Sequence, residues 1–272
     1  MDISFLKKKN FLIAIGGIFY TLILISYLSG NRFLHREDNE FINNVQKEII
    51  SANVMLPFIS IEENAIAASS GFSGVIFKRE GNTYYILTAL HALWKLDLTH
   101  ASIKAQTYEF PSWEFEMRKK DLGIKEYYNQ LSEVSVEYYN EFYDLAILSF
   151  ESEEDYAILP IADVSPKHNE WVATMSNPQK MGQNTVTTGR ITSRKPIPFG
   201  DEAGKTQYPV IAYSAKVAPG SSGGALINKD VGLVGIILGG SENIFGQFIS
   251  GKAMPSHYIL EFLNEWMEQH KN

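Results

Sequence analysis

The segment Pro219-Gly220-Ser221-Ser222-Gly223-Gly224-Ala225-Leu226 sets serines in a frame of glycines. A serine hydroxyl attacks an electrophilic carbon only when a base takes its proton and donors hold the oxyanion that forms. Glycines let the backbone turn sharply, so the N–H groups of Gly220 and Ser222 can converge on one point. Gly223 and Gly224 leave room for a second backbone to approach. The same composition suits a flexible turn or a phosphate-cradling loop. A phosphate loop normally continues into Lys-Ser/Thr and a helix, whereas the strand-like Ala225-Leu226-Ile227 follows here.

A base and an orienting carboxylate lie upstream. The apolar run Tyr84-Tyr85-Ile86-Leu87-Thr88-Ala89-Leu90 ends in His91. His35, His100, His168, His257 and His270 have no such setting. Asp144 opens the apolar strand Leu145–Leu148. A carboxylate there costs desolvation energy unless it is paired, and holding an imidazole tautomer is such a pairing. Taken singly, His91 reads equally as a core or surface histidine and Asp144 as a strand cap. Together, in the chain order His, Asp, Ser, they match a catalytic triad: Ser222 the nucleophile, His91 the base, Asp144 its orienter.

Such a triad needs rigid elements to hold it. Short β-rich runs bounded by Gly, Asn and Pro recur from about Val54: Gly74–Phe77, Thr83–Thr88, Leu145–Phe150, Trp171–Met175, Val186–Ile191, Val210–Tyr213 and Val231–Leu238. That texture predicts an all-β sandwich or barrel. Ala101–Tyr143 is longer and mixed, with a helical pattern near Ile124–Tyr139. Ser256–His270 reads as an amphipathic helix, with Ile259, Phe262, Leu263 and Trp266 on one face.

The N-terminus is a separate object. Lys7, Lys8 and Lys9 precede the charge-free stretch Asn10–Asn31. About 20 apolar residues in a helix cross a bilayer core. A cleaved signal peptide has a shorter apolar region and small residues before the cut, a pattern that Tyr27 and Leu28 break. The expected organisation is a cytoplasmic N-terminus (1–10), a transmembrane signal anchor (11–29), a juxtamembrane helix or stalk (30–53) and a catalytic domain (54–272). The lysines set the orientation, with the domain on the extracytoplasmic side of the membrane.

Composition bounds the chemistry. The 272-residue chain has no cysteine, which excludes disulfides, thiolate nucleophiles and cysteine-based zinc sites. A net charge of −7 argues against a nucleic-acid partner. The triad chemistry needs no metal and no organic cofactor.

The segments resemble the trypsin-like domain of the HtrA (Deg) serine proteases. Ser70-Gly71-Phe72-Ser73-Gly74-Val75-Ile76 resembles that family's Gly-Ser-Gly-Phe first strand, Leu87–His91 its histidine segment and Asp144–Leu148 its aspartate segment. Leu159–Ala162, Trp171–Pro178 and Thr185–Ser193 resemble the start of its second barrel, and Gly251-Lys252-Ala253-Met254-Pro255 the approach to its closing helix. The resemblance runs from Ser70 to Leu263. It implies two six-stranded antiparallel β-barrels of the chymotrypsin-like type, a C-terminal helix, and the triad in the cleft between the barrels. It implies protein or peptide substrates, and family members often form homo-oligomers. Ser73 stands where glycine-rich spacing is usual, Ala101–Tyr143 is longer than the usual link, and no PDZ domain is expected.

By this reading Ser222, His91 and Asp144 cut peptide bonds, with the backbone N–H groups of Gly220 and Ser222 as the oxyanion hole. The substrate pocket is drawn from Val217, Leu238, Gly239 and Gly240. The stretch Leu233–Gly240 carries no charge, so a small aliphatic P1 residue (the one whose carbonyl is attacked) is expected. Lys216 would favour acidic P1 residues only if it pointed inward. Two other readings use the same fold: a catalytically silent peptide-binding module, and a membrane-anchored assembly protein.

Overall fold

The computed structural model describes residues 39–62, 65–68, 71–93, 101–111, 123–179, 181–193, 195–200 and 207–269. The chain divides into two compact units, Met1–Asn43 and Asn44–Asn272. No helix among the described residues is long and apolar enough to cross a membrane. The expected anchor, 11–29, lies outside the described residues. The second unit opens with helical residues 44–48 and a single 3-10 turn, Ile50–Ala52.

Its first half runs β1 (Asn53–Leu56), β2 (Phe58–Glu62), β3 (Ala65–Ala68), β4 (Phe72–Glu80), β5 (Thr83–Ala89), β6 (Ala101–Ala105), α1 (Ile124–Tyr128), β7 (Ser132–Glu133), β8 (Ser135–Asn140) and β9 (Leu145–Glu151). One sheet has the order β1-β4-β5-β9-β8, another β3-β2-β6-β7. Pro57, which has no N–H to give, separates β1 from β2. Met55 bridges to Gln106 just past β6, and the Val134 N–H between β7 and β8 donates to the Ile103 carbonyl. The two sheets therefore close into one ring of β1/β2, β4, β5, β9, β8/β7 and β6, leaving no long open edge.

The second half runs β10 (Trp171–Ser176), β11 (Thr185–Arg190), β12 (Ile197–Gly200), β13 (Gln207–Tyr213), β14 (Ala225–Asn228), β15 (Leu233–Glu242), β16 (Phe248–Pro255) and α2 (Ser256–Gln269). The sheet order is β11-β10-β14-β15-β16-β13-β12. An antiparallel bridge between Ile191 and Tyr213 returns the end of β11 to β13, so β10, β14, β15, β16, β13 and β11 close a second ring and β12 extends from it as a hairpin arm. Val172, Ile211, Tyr213, Val217, Leu226, Ile237 and Ala253 are among the side chains that fill this ring.

The architecture is mostly β with a C-terminal helix, and each expected strand falls within or beside an observed one. The helical pattern near Ile124–Tyr139 is corrected: α1 stops at Tyr128, and Tyr138 and Tyr139 belong to β8. Ser135-Val136-Glu137-Tyr138 has β-branched and aromatic residues suited to a pleat. The neighbouring β9 supplies the ladder, pairing Val136 with Leu148 and Tyr139 with Ala146, and this long-range pairing overrides a local helical spacing.

The helix α2 buries Ile259, Phe262, Leu263 and Trp266, the face its spacing predicts. It leaves the second ring at Pro255 and packs on the first. The Trp266 ring lies 6.0 Å from Phe77 and 5.3 Å from Tyr85, and Phe262 lies 5.2 Å from Tyr138 and 5.9 Å from Tyr143. The Glu265 carboxylate accepts from Tyr138 Oη (3.2 Å), Asn140 Nδ2 (2.8 Å) and Tyr143 Oη (3.0 Å). Burial and then the Glu265 bond push the Tyr143 hydroxyl up to about 12, so it stays a donor at neutral pH. The helix thus straps the two rings together and grips the turn that leads into Asp144. Phe262→Ala is expected to cost about 3–5 kcal/mol, the usual range for a fully buried phenylalanine. Urea unfolding of the full-length chain measures it, and a change below about 1 kcal/mol would show that the strap is dispensable.

Candidate active site

Three side chains far apart in sequence meet where the two rings face each other. β5 and β9 are adjacent antiparallel strands with Ala89 opposite Leu145. The chain leaving β5 and the chain entering β9 therefore sit at the same end of the ring. His91 lies in the 3-10 turn Leu90–Ala92 just after β5, and Asp144 immediately precedes β9. Asp144 adopts a positive φ of 52°, a conformation that aspartate tolerates better than bulkier residues. Its carbonyl accepts the Leu90 N–H at 3.0 Å and its Oδ1 accepts the His91 N–H at 2.7 Å.

The remaining Asp144 oxygen, Oδ2, lies 2.6 Å from His91 Nδ1, and His91 Nε2 lies 3.0 Å from Ser222 Oγ. An ionised carboxylate only accepts, so Nδ1 donates to it. In the neutral ring this leaves Nε2 as the acceptor facing the serine hydroxyl. The Asp144 side chain is 3% exposed and that of His91 37%. The carboxylate is sealed from water, and the imidazole opens onto the cleft. His257, by contrast, bonds Ser165 through Nδ1 and has no part here.

Ser222 is held by its neighbours. The Ser221 N–H donates to the Ala218 carbonyl at 3.0 Å. Pro219 and Gly220 occupy the two central positions of this turn, and Gly220 has a φ of 95°. That is a type II turn, which calls for glycine at its third residue. The Pro219 carbonyl accepts from the Gln179 N–H (3.0 Å), and the Gly220 carbonyl accepts from Ser73 Oγ (2.7 Å). Both carbonyls are thereby drawn aside. Among the described residues no acceptor is bound to the N–H of Gly220 or of Ser222, the two donors expected to form the oxyanion hole. The paired serines are distinguished by direction: Ser221 is buried and its Oγ accepts from Ser176 Oγ at 3.2 Å, whereas Ser222 Oγ faces His91.

Several residues that position this loop escape a reading of the sequence. Ser73 on β4 donates its N–H to the Ser222 carbonyl (2.9 Å) and accepts the Asn177 N–H at Oγ (2.8 Å). Thr88 Oγ1 donates to the Ser73 carbonyl at 2.7 Å. A Cβ on Gly223 would stand 2.1 Å from both the Ser73 carbonyl oxygen and Thr88 Oγ1, so only glycine fits beside Ser222. Behind them, Asn53 on β1 donates through Nδ2 to the Oδ1 atoms of Asn177 (2.9 Å) and Asn184 (2.8 Å). The only sequence signal was the serine at position 73 itself, which stands out from the glycine-rich spacing.

Of the expected pocket residues, Val217 and Leu238 are buried. Val217 comes together with Gly240, whose Cβ position would lie 3.3 Å from Val217 Cγ2. Gly239 follows Leu238 at a register shift in β15. Lys216 is exposed, and its carbonyl accepts from Thr187 Oγ1 at 2.8 Å.

Residues 72–236 match the family model described as "Trypsin-like peptidase domain". No curated protein matches the chain.

The Ser73 bonds generate a prediction. Removing an oxyanion donor outright costs about 10²–10³ in rate. Ser73→Ala would loosen the turn that presents the Gly220 N–H, because the Gly220 carbonyl loses the bond that anchors the turn's far side. Acylation of Ser222 by a fluorophosphonate is expected to slow by on the order of tenfold or more. An unchanged acylation rate would mean that the turn keeps its form without Ser73.

Proposed function

Because the chain belongs to the trypsin-like peptidase family, a family of trypsin-fold serine proteases that act on proteins or peptides, we propose that it is an active, membrane-anchored serine endopeptidase of the HtrA-like kind. The observation that carries this reading is the hydrogen-bonded relay from Asp144 through His91 to Ser222, at 2.6 and 3.0 Å.

In this mechanism Ser222 Oγ attacks the peptide carbonyl as His91 Nε2 takes its proton. The buried Asp144 carboxylate holds the imidazole in the tautomer that can accept and stabilises the imidazolium. The tetrahedral oxyanion settles against the free N–H groups of Gly220 and Ser222. His91 gives its proton to the leaving amine, a water deprotonated by the same nitrogen attacks the acyl-enzyme, and Ser222 is restored. The HtrA-like assignment rests on the segment resemblance from Ser70 to Leu263. The anchor rests on the charge-free stretch Asn10–Asn31 and the lysines before it, which direct the catalytic domain to the extracytoplasmic side. Because Leu233–Gly240 carries no charge and Lys216 is exposed, the P1 residue in this reading is small and aliphatic.

Two measurements test this. Ser222→Ala is expected to lower kcat for casein by on the order of 10⁴–10⁶ with the unfolding midpoint retained. Labelling of the wild type by a fluorophosphonate separates a protease from a silent binding module. Hydrolysis by the variant at the wild-type rate would remove Ser222 from the chemistry. The full-length chain is expected to remain in membranes through an alkaline carbonate wash, and its recovery in the supernatant would remove the anchor.

A further inference from the structure

Asn53 opens β1 in the first ring, is 1% exposed, and has every polar atom of its side chain bonded. Its Nδ2 donates to the Oδ1 atoms of Asn177 (2.9 Å) and Asn184 (2.8 Å), and its Oδ1 accepts from Asn177 Nδ2 at 3.3 Å. The Asn184 N–H donates to the same Asn177 Oδ1 at 3.0 Å. Asn177 directly follows β10 and Asn184 directly precedes β11. One buried side chain of the first ring thus ties together both ends of a connection in the second.

That connection walls the turn that presents the Gly220 N–H. A Cβ on Gly220 would stand 2.8 Å from the Asn177 carbonyl oxygen and 3.2 Å from both the backbone N and the Cγ of Gln179. The Gln179 N–H donates to the Pro219 carbonyl at 3.0 Å. The Pro219 carbonyl and the Gly220 N–H belong to one planar trans peptide and point in opposite directions. The bond that fixes the carbonyl therefore fixes the N–H as well. Asn177 also acts through Ser73. Its N–H donates to Ser73 Oγ (2.8 Å), which gives its own proton to the Gly220 carbonyl (2.7 Å). A hydroxyl has one proton to give, and accepting from Asn177 leaves that proton for Gly220.

The strand register puts Asn53 where it can do this. Residues directly opposite in an antiparallel pair share a face, and successive residues alternate. Asn53 lies opposite Val75, and Met55 opposite Ser73, so the Asn53 and Ser73 side chains leave the same face of the first ring. Both meet Asn177, one at its amide side chain and one at its backbone N–H. Hydrogen bonds fix direction as well as distance. An apolar side chain at position 53 would fill the space without setting the angle at which residues 177–179 meet the turn.

We propose that Asn53 is a positioning residue for the oxyanion hole: through Asn177 it holds residues 177–179 where the Gln179 N–H fixes the Pro219–Gly220 peptide. The inference rests on the peptidase reading above. The test uses the full-length chain, a peptide that the wild type cleaves, and the aldehyde ending at that peptide's P1 residue, whose reversible adduct with Ser222 sets an oxygen in the hole. Asn53→Ala is expected to lower kcat by on the order of tenfold with KM within about twofold, because the donors act on the transition state. Aldehyde affinity is expected to fall by the same factor as kcat/KM. Asn184→Gly removes one acceptor of the Asn53 amide and keeps the φ of 53° accessible, and is expected to move both quantities the same way by less. A lower melting temperature with kcat retained well below it would make Asn53 merely structural and overturn the assignment. A fall in kcat that the aldehyde does not follow would overturn it too. Should Asn53→Ala not fold, Asn184→Gly decides alone: parallel losses support the assignment and an unchanged kcat overturns it. A wild type that neither cleaves peptides nor takes a fluorophosphonate at Ser222 would instead bring down the peptidase reading, and this one with it.

Discussion

Ser73 joins the first ring to the Ser222 loop of the second through its N–H and its Oγ, and every polar atom it has is bonded. Its N–H donates to the Ser222 carbonyl, its Oγ donates to Gly220 and accepts from Asn177, and its carbonyl accepts from Thr88. Ser73 and Thr88 are both fully buried, so no solvent water can substitute for a broken bond, and an unsatisfied buried group costs about 1–3 kcal/mol. A shift of one ring against the other would break several of these bonds at once. The relative placement of His91 and Ser222 depends on that constraint, because one belongs to each ring.

The other end of the relay is fixed in a different way. Asp144 is held by two backbone N–H groups on its carbonyl and Oδ1 before it meets the imidazole. The preceding residue, Tyr143, is gripped from outside by Glu265 on α2. The helix that closes the chain thus supports the aspartate, while the strands support the serine. Exposure increases along the relay from the sealed carboxylate to the imidazole, whose side chain is 37% exposed. In the proposed mechanism the low-dielectric surrounding of Asp144 would strengthen its interaction with the imidazolium, and the open side of the ring would admit substrate and water.

Lys252 shows how a stable fold can carry a costly group: it is buried, and its Nζ donates to Ser250 Oγ. Replacing a buried ion by an apolar residue of similar volume is often neutral or stabilising. The β15–β16 hairpin would pair through its backbone equally well with an apolar residue at that position. The buried apolar residues of the same hairpin, Ile237, Ala253 and Met254, contribute to stability.

Much of this protein is legible in its sequence. The alternating and apolar runs place β4, β5, β9, β10, β11, β13 and β15, because side-chain periodicity is a local property of the backbone. The spacing of Ile259, Phe262, Leu263 and Trp266 places α2 for the same reason. His91, Asp144 and Ser222 stand out through their residue types and immediate neighbours. What the sequence leaves open is whatever depends on pairing between distant strands. Ser135–Asn140 has a helical spacing, and only the open ladder of β9 makes it a strand. The bonds of Ser73, the Asn53–Asn177 contact and the burial of Lys252 involve partners far apart along the chain or on a facing strand, and no local pattern encodes them. Tertiary structure decided these, because the closing of two rings determines which polar atoms lose water and must find one another.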